Sequence, residues 1–550
     1  MNLKPIKITC SLIFCFTIGI NKNYSQPQAS KDSVSITRVL AIMDSFYNKI
    51  NKYYVEDVIL EKLMRKGIDA MVSSLDPFTH YRSKEETDEF HLIMAGRFGG
   101  TGLVFGEIDQ QIIITRVFPG LPADRAGLKA GDCIVEINGI PTKGKNTDEI
   151  FPMLRGTPGT KVTMSIKHAD EKELVSADIV REEIKLPSVP YYGMINDAVG
   201  YISLTGMTEN CSEELLKAFT ELKTHHPLKG LVIDLRNNAG GYIKEAIKIA
   251  NIFIDKGNVI VSMRGKKSDT VYAANTAIDP LISLALLTSN YTASAAEVLS
   301  GAIQDNDRGV IIGQKTYGKG LVGDLFDMGS GAEMVITVAH YYTPSGRCIQ
   351  SKTYSAAGGA GVEIADSLKK YFKTKNGRMV RNAEGIIPDL VIPASEPAPI
   401  TKCLSDNYFI FKYATQYRLQ HPTLPPAKQF NLSEADYNQF LVFLRDKSCN
   451  YNTRTEEKIR DLRKAAAEDG YCKAIEADLA KLETVLKQDK KKDLGRFKKE
   501  IKGSLEAEIA SRYYFEQGRI ETSFRNDAEL KKALEILGNH KVYMKILNRE

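Results

Sequence analysis

The sequence predicts a multidomain protein of mixed α+β and α/β class, with a helical N-terminal segment, a small β-rich domain, an α/β core and a helical C-terminal extension. Three observations carry this. At 550 residues the chain is too long for one hydrophobic core. The spacing of apolar residues changes along it, from helical, to short β-rich runs between Gly and Pro turns, to strands alternating with helices, and back to helical. A proline-rich stretch at 388–399 marks a boundary before the last, charged part.

Residues 1–25 read as a signal peptide: Lys4 and Lys7 give a positive start, 8–20 are apolar, and the small Ser25 precedes Gln26. The apolar stretch is short for a membrane span. Export is therefore expected, to the periplasm in a bacterium, with retention as an uncleaved anchor or peripheral membrane association left open. Cys15 is a poor lipoprotein site because the bulky Phe14 precedes it.

Over 30–93, Ile36, Val39, Leu40, Met43 and Tyr47 recur at helical spacing, as do Leu60, Leu63, Met64, Ile68 and Met71, until Asp76-Pro77 breaks the pattern. Over 94–185, β-rich runs at 111–117, 133–137 and 161–167 alternate with turns. In 186–400, residues 230–234 read as a buried strand and 242–253 as an amphipathic helix. Residues 281–287 and 310–312 read as further strands, with a helix at 294–304 between them. Residues 401–550 read as mostly helical and carry no chemical motif.

Charge and cysteines exclude several classes. A net charge of +6 over 550 residues, with no basic stripe interleaved with aromatics, gives no footprint for nucleic acid. The run Lys490-Lys491-Lys492, between Asp489 and Asp493, reads as a solvated helix face. Of eight cysteines, Cys10 and Cys15 fall in the leader. The other six lack CxxC or paired-histidine spacing, so a metal site is unsupported. Disulfides are allowed in an exported chain, but spacing names no pairs, and buried free thiols are the alternative.

Gly313-Gln-Lys-Thr-Tyr-Gly318-Lys319-Gly320 nearly spells a phosphate-binding loop. It departs where magnesium needs a hydroxyl, at Gly320, and the glycine-rich stretch after it offers no helix N-terminus to phosphates. Ser294 opens a helix with Glu297 three residues later, which reads as a capping box. The same strand-to-helix turn would expose a nucleophile beside a helix N-terminus, with small Ala295 and Ala296 leaving room for a carbonyl. A serine nucleophile needs a base, and no histidine has a catalytic spacing to it. Lys319, between two glycines, is the alternative. A lysine base must be neutral at working pH, which requires a desolvated pocket. Asp234-Leu-Arg-Asn-Asn-Ala-Gly-Gly241 joins a strand to a helix, and its backbone N–H groups around Gly240 and Gly241 could hold an oxyanion.

Together these segments resemble the carboxyl-terminal processing peptidases, or tail-specific proteases. Thr292-Ala-Ser-Ala-Ala-Glu297 and Gly318-Lys-Gly320 resemble the family's serine and lysine segments, with 319 − 294 = 25 residues between the pair. Leu75-Asp-Pro77, Gly96-Arg-Phe-Gly-Gly100, Leu235-Arg-Asn-Asn-Ala-Gly-Gly241, Tyr342-Thr-Pro-Ser-Gly-Arg347 and Gly385-Ile-Ile-Pro-Asp389 resemble further motifs, so the likeness runs from about 35 to 395. The resemblance implies a PDZ domain at 94–185 and a crotonase/ClpP-like peptidase core at 186–400. Gly99, Gly100, Thr101, Gly102 and Leu103 would hold a peptide's terminal carboxylate, with 122–132 and Ile137-Asn-Gly139 completing the PDZ signature.

The implied activity is peptide-bond hydrolysis by Ser294 with Lys319 as base. Gly240, Gly241 and Ala295 would form the oxyanion hole, without cofactor or metal. The implied partners are protein or peptide C-termini, and a homo-oligomer stays open. One position departs from the family pattern: a Gln commonly stands four residues after the lysine, and this chain has Gly323. That favours a rival reading, a catalytically weak or inactive PDZ-bearing peptide-binding protein.

Overall fold

The computed structural model describes residues 31–169, 171, 173–354, 361–394 and 396–549. The expected leader lies outside them. The described residues fall into two compact units, one of 96–193 with 392–535, the other of 31–95, 194–391 and 536–549.

In the first unit, strands Leu103–Ile108, Gln111–Val117, Cys133–Ile137, Lys161–Lys167 and Leu174–Val180 pair antiparallel in that order. Alternation along them buries one face: Ile112 and Ile114, Ile134 and Ile137, and Val162, Met164 and Ile166 meet Ile150 and Leu154 of helix Thr147–Leu154. Asn146 caps that helix, accepting from the N–H groups of Asp148 and Glu149. The C-terminal part is helical, as expected. Helices Pro399–Asp406, Phe409–Gln420, Glu434–Phe443 and Lys498–Ser523 share an aromatic-rich core that includes Tyr413, Tyr417, Tyr437 and Phe440. Cys403 and Cys449 are joined by a disulfide there, while Cys133, Cys211, Cys348 and Cys472 are free thiols.

The second unit is built on five parallel strands in the spatial order Val199–Ser203, Gly230–Asp234, Ser283–Thr288, Val310–Gly313 and Leu390–Val391. Such strands are buried on both faces, and Gly230-Leu-Val-Ile and Leu284 to Leu287 are accordingly unbroken apolar runs. Helices Cys211–His225, Ile243–Phe253 and Ala295–Asp305 form the crossovers and pack side by side, Phe219 meeting Phe253 edge to face.

A second, antiparallel sheet orders His80–Arg82, Ala332–Tyr342, Val259–Gly265 and Asp269–Ala273, with Leu321–Gly329 also paired to Ala332–Tyr342. The N-terminal segment was expected to be purely helical. It contributes helices Lys31–Tyr53, Leu60–Ser73 and Lys84–Met94, and also the strand His80–Arg82, whose three residues are too few to show a period. Among the described residues no helix is long and apolar enough to cross a membrane.

Candidate active site

Ser294 stands between strand Ser283–Thr288 and helix Ala295–Asp305 with φ 56° and ψ −120°, outside the ordinary regions for a side-chain-bearing residue. Such a conformation costs on the order of 1–3 kcal/mol and persists only where its surroundings hold it. Here they do. The Ser294 N–H donates to Glu297 Oε2 at 2.8 Å, and its carbonyl accepts from the Tyr341 hydroxyl at 3.2 Å. The turn was expected to leave Ser294 exposed; the structure buries it completely. The difference arises because segments distant in sequence close over the turn.

Lys319 is one of those segments. It is 1 % exposed, between Gly318 and Gly320. Gly318 has φ 87°, and a Cβ there would lie 2.6 Å from the Ser351 side chain, so only glycine lets the loop run so close. The Lys319 N–H donates to Glu297 Oε2 at 2.9 Å, and the Gly318 N–H and Thr316 hydroxyl donate to Glu297 Oε1 at 2.7 and 2.5 Å. One buried carboxylate therefore ties the serine turn to the lysine loop. Burial pushes the Glu297 carboxyl up to about 7, against the four hydrogen bonds, which favour the charged form. Sequence reasoning found Glu297 only as half of a capping box. Its link to residues 316–319 is non-local, and nothing at its own position announces it.

The Lys319 Nζ lies 4.4 Å from the ring centroid of Phe78, another residue the sequence did not single out. Asp76 places that ring: its Oδ1 accepts from the N–H groups of Phe78 and Thr79 at 2.7 and 2.8 Å, a local turn in which Pro77 fixes the backbone. Phe78 is buried in a cluster with Leu321 and Val335.

Leu235-Arg-Asn-Asn-Ala-Gly-Gly241 lies against the serine turn. The Ala293 N–H donates to the Asn238 carbonyl at 3.1 Å and the Thr292 hydroxyl to the Leu235 carbonyl at 2.8 Å. A Cβ on Gly240 would lie 2.8 Å from that of Ser294 and 3.0 Å from the Ala295 nitrogen, so this glycine is required for close approach. Its N–H, however, donates to Asn238 Oδ1 at 2.9 Å. That donor is engaged locally, within the same loop. The N–H groups of Gly241 and Ala295 have no acceptor among the described residues. Asn238 is fully buried and donates from Nδ2 to the Leu204 carbonyl at 3.0 Å, which fixes the loop.

Of the five residues expected to hold a carboxylate, Gly99 and Gly100 lie in strand Arg97–Gly100, paired with Glu182–Lys185. Gly99 serves close packing, since a Cβ there would lie 2.1 Å from the Gly156 carbonyl oxygen. Thr101 and Gly102 make the turn into Leu103, the first residue of the next strand. The Thr101 carbonyl accepts from Ala123 N–H at 2.8 Å and the Gly102 carbonyl from Phe118 N–H at 3.0 Å. In a trans peptide the N–H points opposite to the preceding C=O. The N–H groups of Gly102 and Leu103 therefore face away from those partners, as a carboxylate-binding turn requires.

Gly323, the departure from the family pattern, is buried in strand Leu321–Gly329 opposite Thr337, beside a bulge, and its φ is not positive. Among the described residues no group of His, Cys, Asp and Glu could hold a metal ion.

Three family descriptions match the chain: "Peptidase family S41" over residues 198–363, "PDZ domain" over 113–167, and "Probable PDZ-protease, C-terminal helical domain" over 400–537. Two proteins called "Probable CtpA-like serine protease" are similar to it. That of Staphylococcus aureus strain MSSA476 is 34% identical over 352 residues, 63% of this chain and 69% of that protein. That of S. aureus strain bovine RF122 / ET3-1 is 36% identical over 315 residues, 56% of this chain and 62% of that protein, so the match spans less than two thirds of that relative's length. Among solved structures, the photosystem II D1 C-terminal processing protease is 24% identical with a TM-score of 0.36, covering 66% of this chain and 94% of that one.

Proposed function

The chain belongs to peptidase family S41, and on that premise we propose that it hydrolyses peptide bonds through an acyl-enzyme, with Ser294 as nucleophile and Lys319 as general base. The observation that carries this is the Glu297 carboxylate, which holds the backbone of both residues in one buried site. Lys319 takes the proton of the Ser294 hydroxyl, the serine attacks the scissile carbonyl, and the N–H groups of Gly241 and Ala295 receive the oxyanion. The lysine then returns its proton to the leaving amine, and water, deprotonated in the same way, releases the acyl group. A buried ammonium loses several kcal/mol of hydration. In this enclosed site the Lys319 Nζ lies over the Phe78 ring.

Substrates are recognised by their C-termini. The PDZ turn at Gly102 and Leu103 offers N–H groups to a terminal carboxylate, and the adjacent strand Leu103–Ile108 can take a peptide by strand addition. Export is supported by the leader sequence and by the Cys403–Cys449 disulfide, a bond that persists in oxidising compartments. We read the location as periplasmic, and association with a membrane surface or a second copy is compatible with that reading. Amidating the C-terminus of a peptide substrate tests recognition. Cleavage is expected to slow through a higher KM with little change in kcat, and equal kinetics for acid and amide would overturn carboxylate capture.

One observation favours a weaker enzyme, or a binding protein. Gly323 has no side chain to orient the amine of Lys319. Because its φ is not positive, a side chain there meets no left-handed backbone strain. Gly323→Gln is expected to raise kcat by up to about tenfold, roughly 1.4 kcal/mol and about the net worth of one hydrogen bond, with KM nearly unchanged. A variant that melts like the wild type and gains no rate would show that other groups already hold the amine.

A further inference from the structure

The first unit contains a cavity of about 360 Å³ between its PDZ part and its helical part. Five cations line it: Arg116 and Lys129 from the PDZ side, and Arg418, Arg512 and Arg519 from the helical side. The acids nearby are fewer and already engaged. Glu516 pairs with Arg116 at 3.3 Å and Arg519 at 3.6 Å, and Asp124 accepts from the Gly120 N–H at 2.8 Å. Glu508, buried beneath, is shared by Arg512 and Arg519, each at 2.8 Å.

Positive charge is left over. The side chains of Arg418 and Lys129 have no hydrogen-bond or ion-pair partner among the described residues. Arg512 has only 2 % of its side chain exposed, and its Nε has no acceptor; the Arg519 Nε also lacks a hydrogen bond. A buried donor left unpaired costs about 1–3 kcal/mol, and more when charged. Phe515, on the same wall, breaks helix Lys498–Ser523 with φ 53° and ψ −144°, a strained conformation of the kind that collects at ligand sites.

We propose that this cavity binds an oxyanion, a phosphate or a carboxylate group, held by Arg418 from the helical part and by Lys129 from the PDZ part, with the charge of buried Arg512 behind them. Guanidinium forks match the geometry of both groups, and the half-buried Arg418 and exposed Lys129 leave their donors open to one. Because Lys129 and Arg418 approach it from the two parts, the anion would tie the PDZ domain to the helical domain. The site is separate from the peptidase reading and stands without it.

The test is calorimetric titration and thermal unfolding of the full chain at fixed ionic strength, with chloride replaced stepwise by inorganic phosphate or by succinate. Saturable binding of one anion per chain, with a matching rise in Tm, is expected for at least one of the two. Phosphate alone would identify a phosphoryl group, succinate alone a carboxylate, and both a general oxyanion site. The double variant Lys129→Gln/Arg418→Gln changes only exposed or half-buried side chains, so it should melt like the wild type in chloride and bind at least about tenfold more weakly. Binding of neither anion, or equal binding by the double variant, would overturn the proposal.

Discussion

Ser294→Ala is expected to lower the rate of peptide hydrolysis by at least about a thousandfold, roughly 4 kcal/mol of transition-state stabilisation. The loss is large because the variant lacks the hydroxyl on which the proposed acyl-enzyme forms. The fold should survive. Ala carries the same Cβ into the φ 56° turn, and the groups that hold the turn bond its backbone: Glu297 takes the N–H and Tyr341 the carbonyl. The Tm should therefore stay within a few degrees of wild type, and binding of a C-terminal peptide should be unchanged. Near-normal turnover by the Ala variant would reduce Ser294 to a helix cap and place the chemistry elsewhere.

Lys319→Arg should be nearly as inactive as Lys319→Ala. A guanidinium keeps its proton at any usable pH, so it cannot take one from the serine. Packing is the competing explanation, because Lys319 is fully enclosed and lies over Phe78. Lys319→Met separates the two. Methionine is close in length and apolar, so this variant should keep the packing over Phe78, melt within a few degrees of the wild type and still be inactive. Substantial activity in the Arg variant would mean that the site needs a positive charge rather than a base.

The parts legible in the sequence were those fixed by local rules. The strand ending at Asp234 is an unbroken apolar run, the alternation in the PDZ sheet is plain from Gln111 to Val117, and glycines mark the loops at 240–241 and 318–320. The parts that were not legible depend on contacts between distant segments. Glu297 looks the same whether it only caps its own helix or also holds the Lys319 loop 22 residues away. Phe78 reads as one more apolar residue after a turn until the fold places it under Lys319. The committed N–H of Gly240 follows from the rotamer of Asn238, which no spacing rule reveals. The Cys403–Cys449 pair, 46 residues apart, needed the helical core to bring its members together.

Acyl transfer through Ser294 and Lys319 can be checked by incubating the purified wild-type chain and its Ser294→Ala variant with an unstructured polypeptide that ends in an apolar tail and a free carboxylate. Fragments are resolved by mass spectrometry. Cleavage by the wild type, none by the variant over the same time, and retention of the tail by both are expected. Binding of the tail with no cleavage by the wild type would contradict acyl transfer, and would leave a PDZ-bearing binding protein in its place.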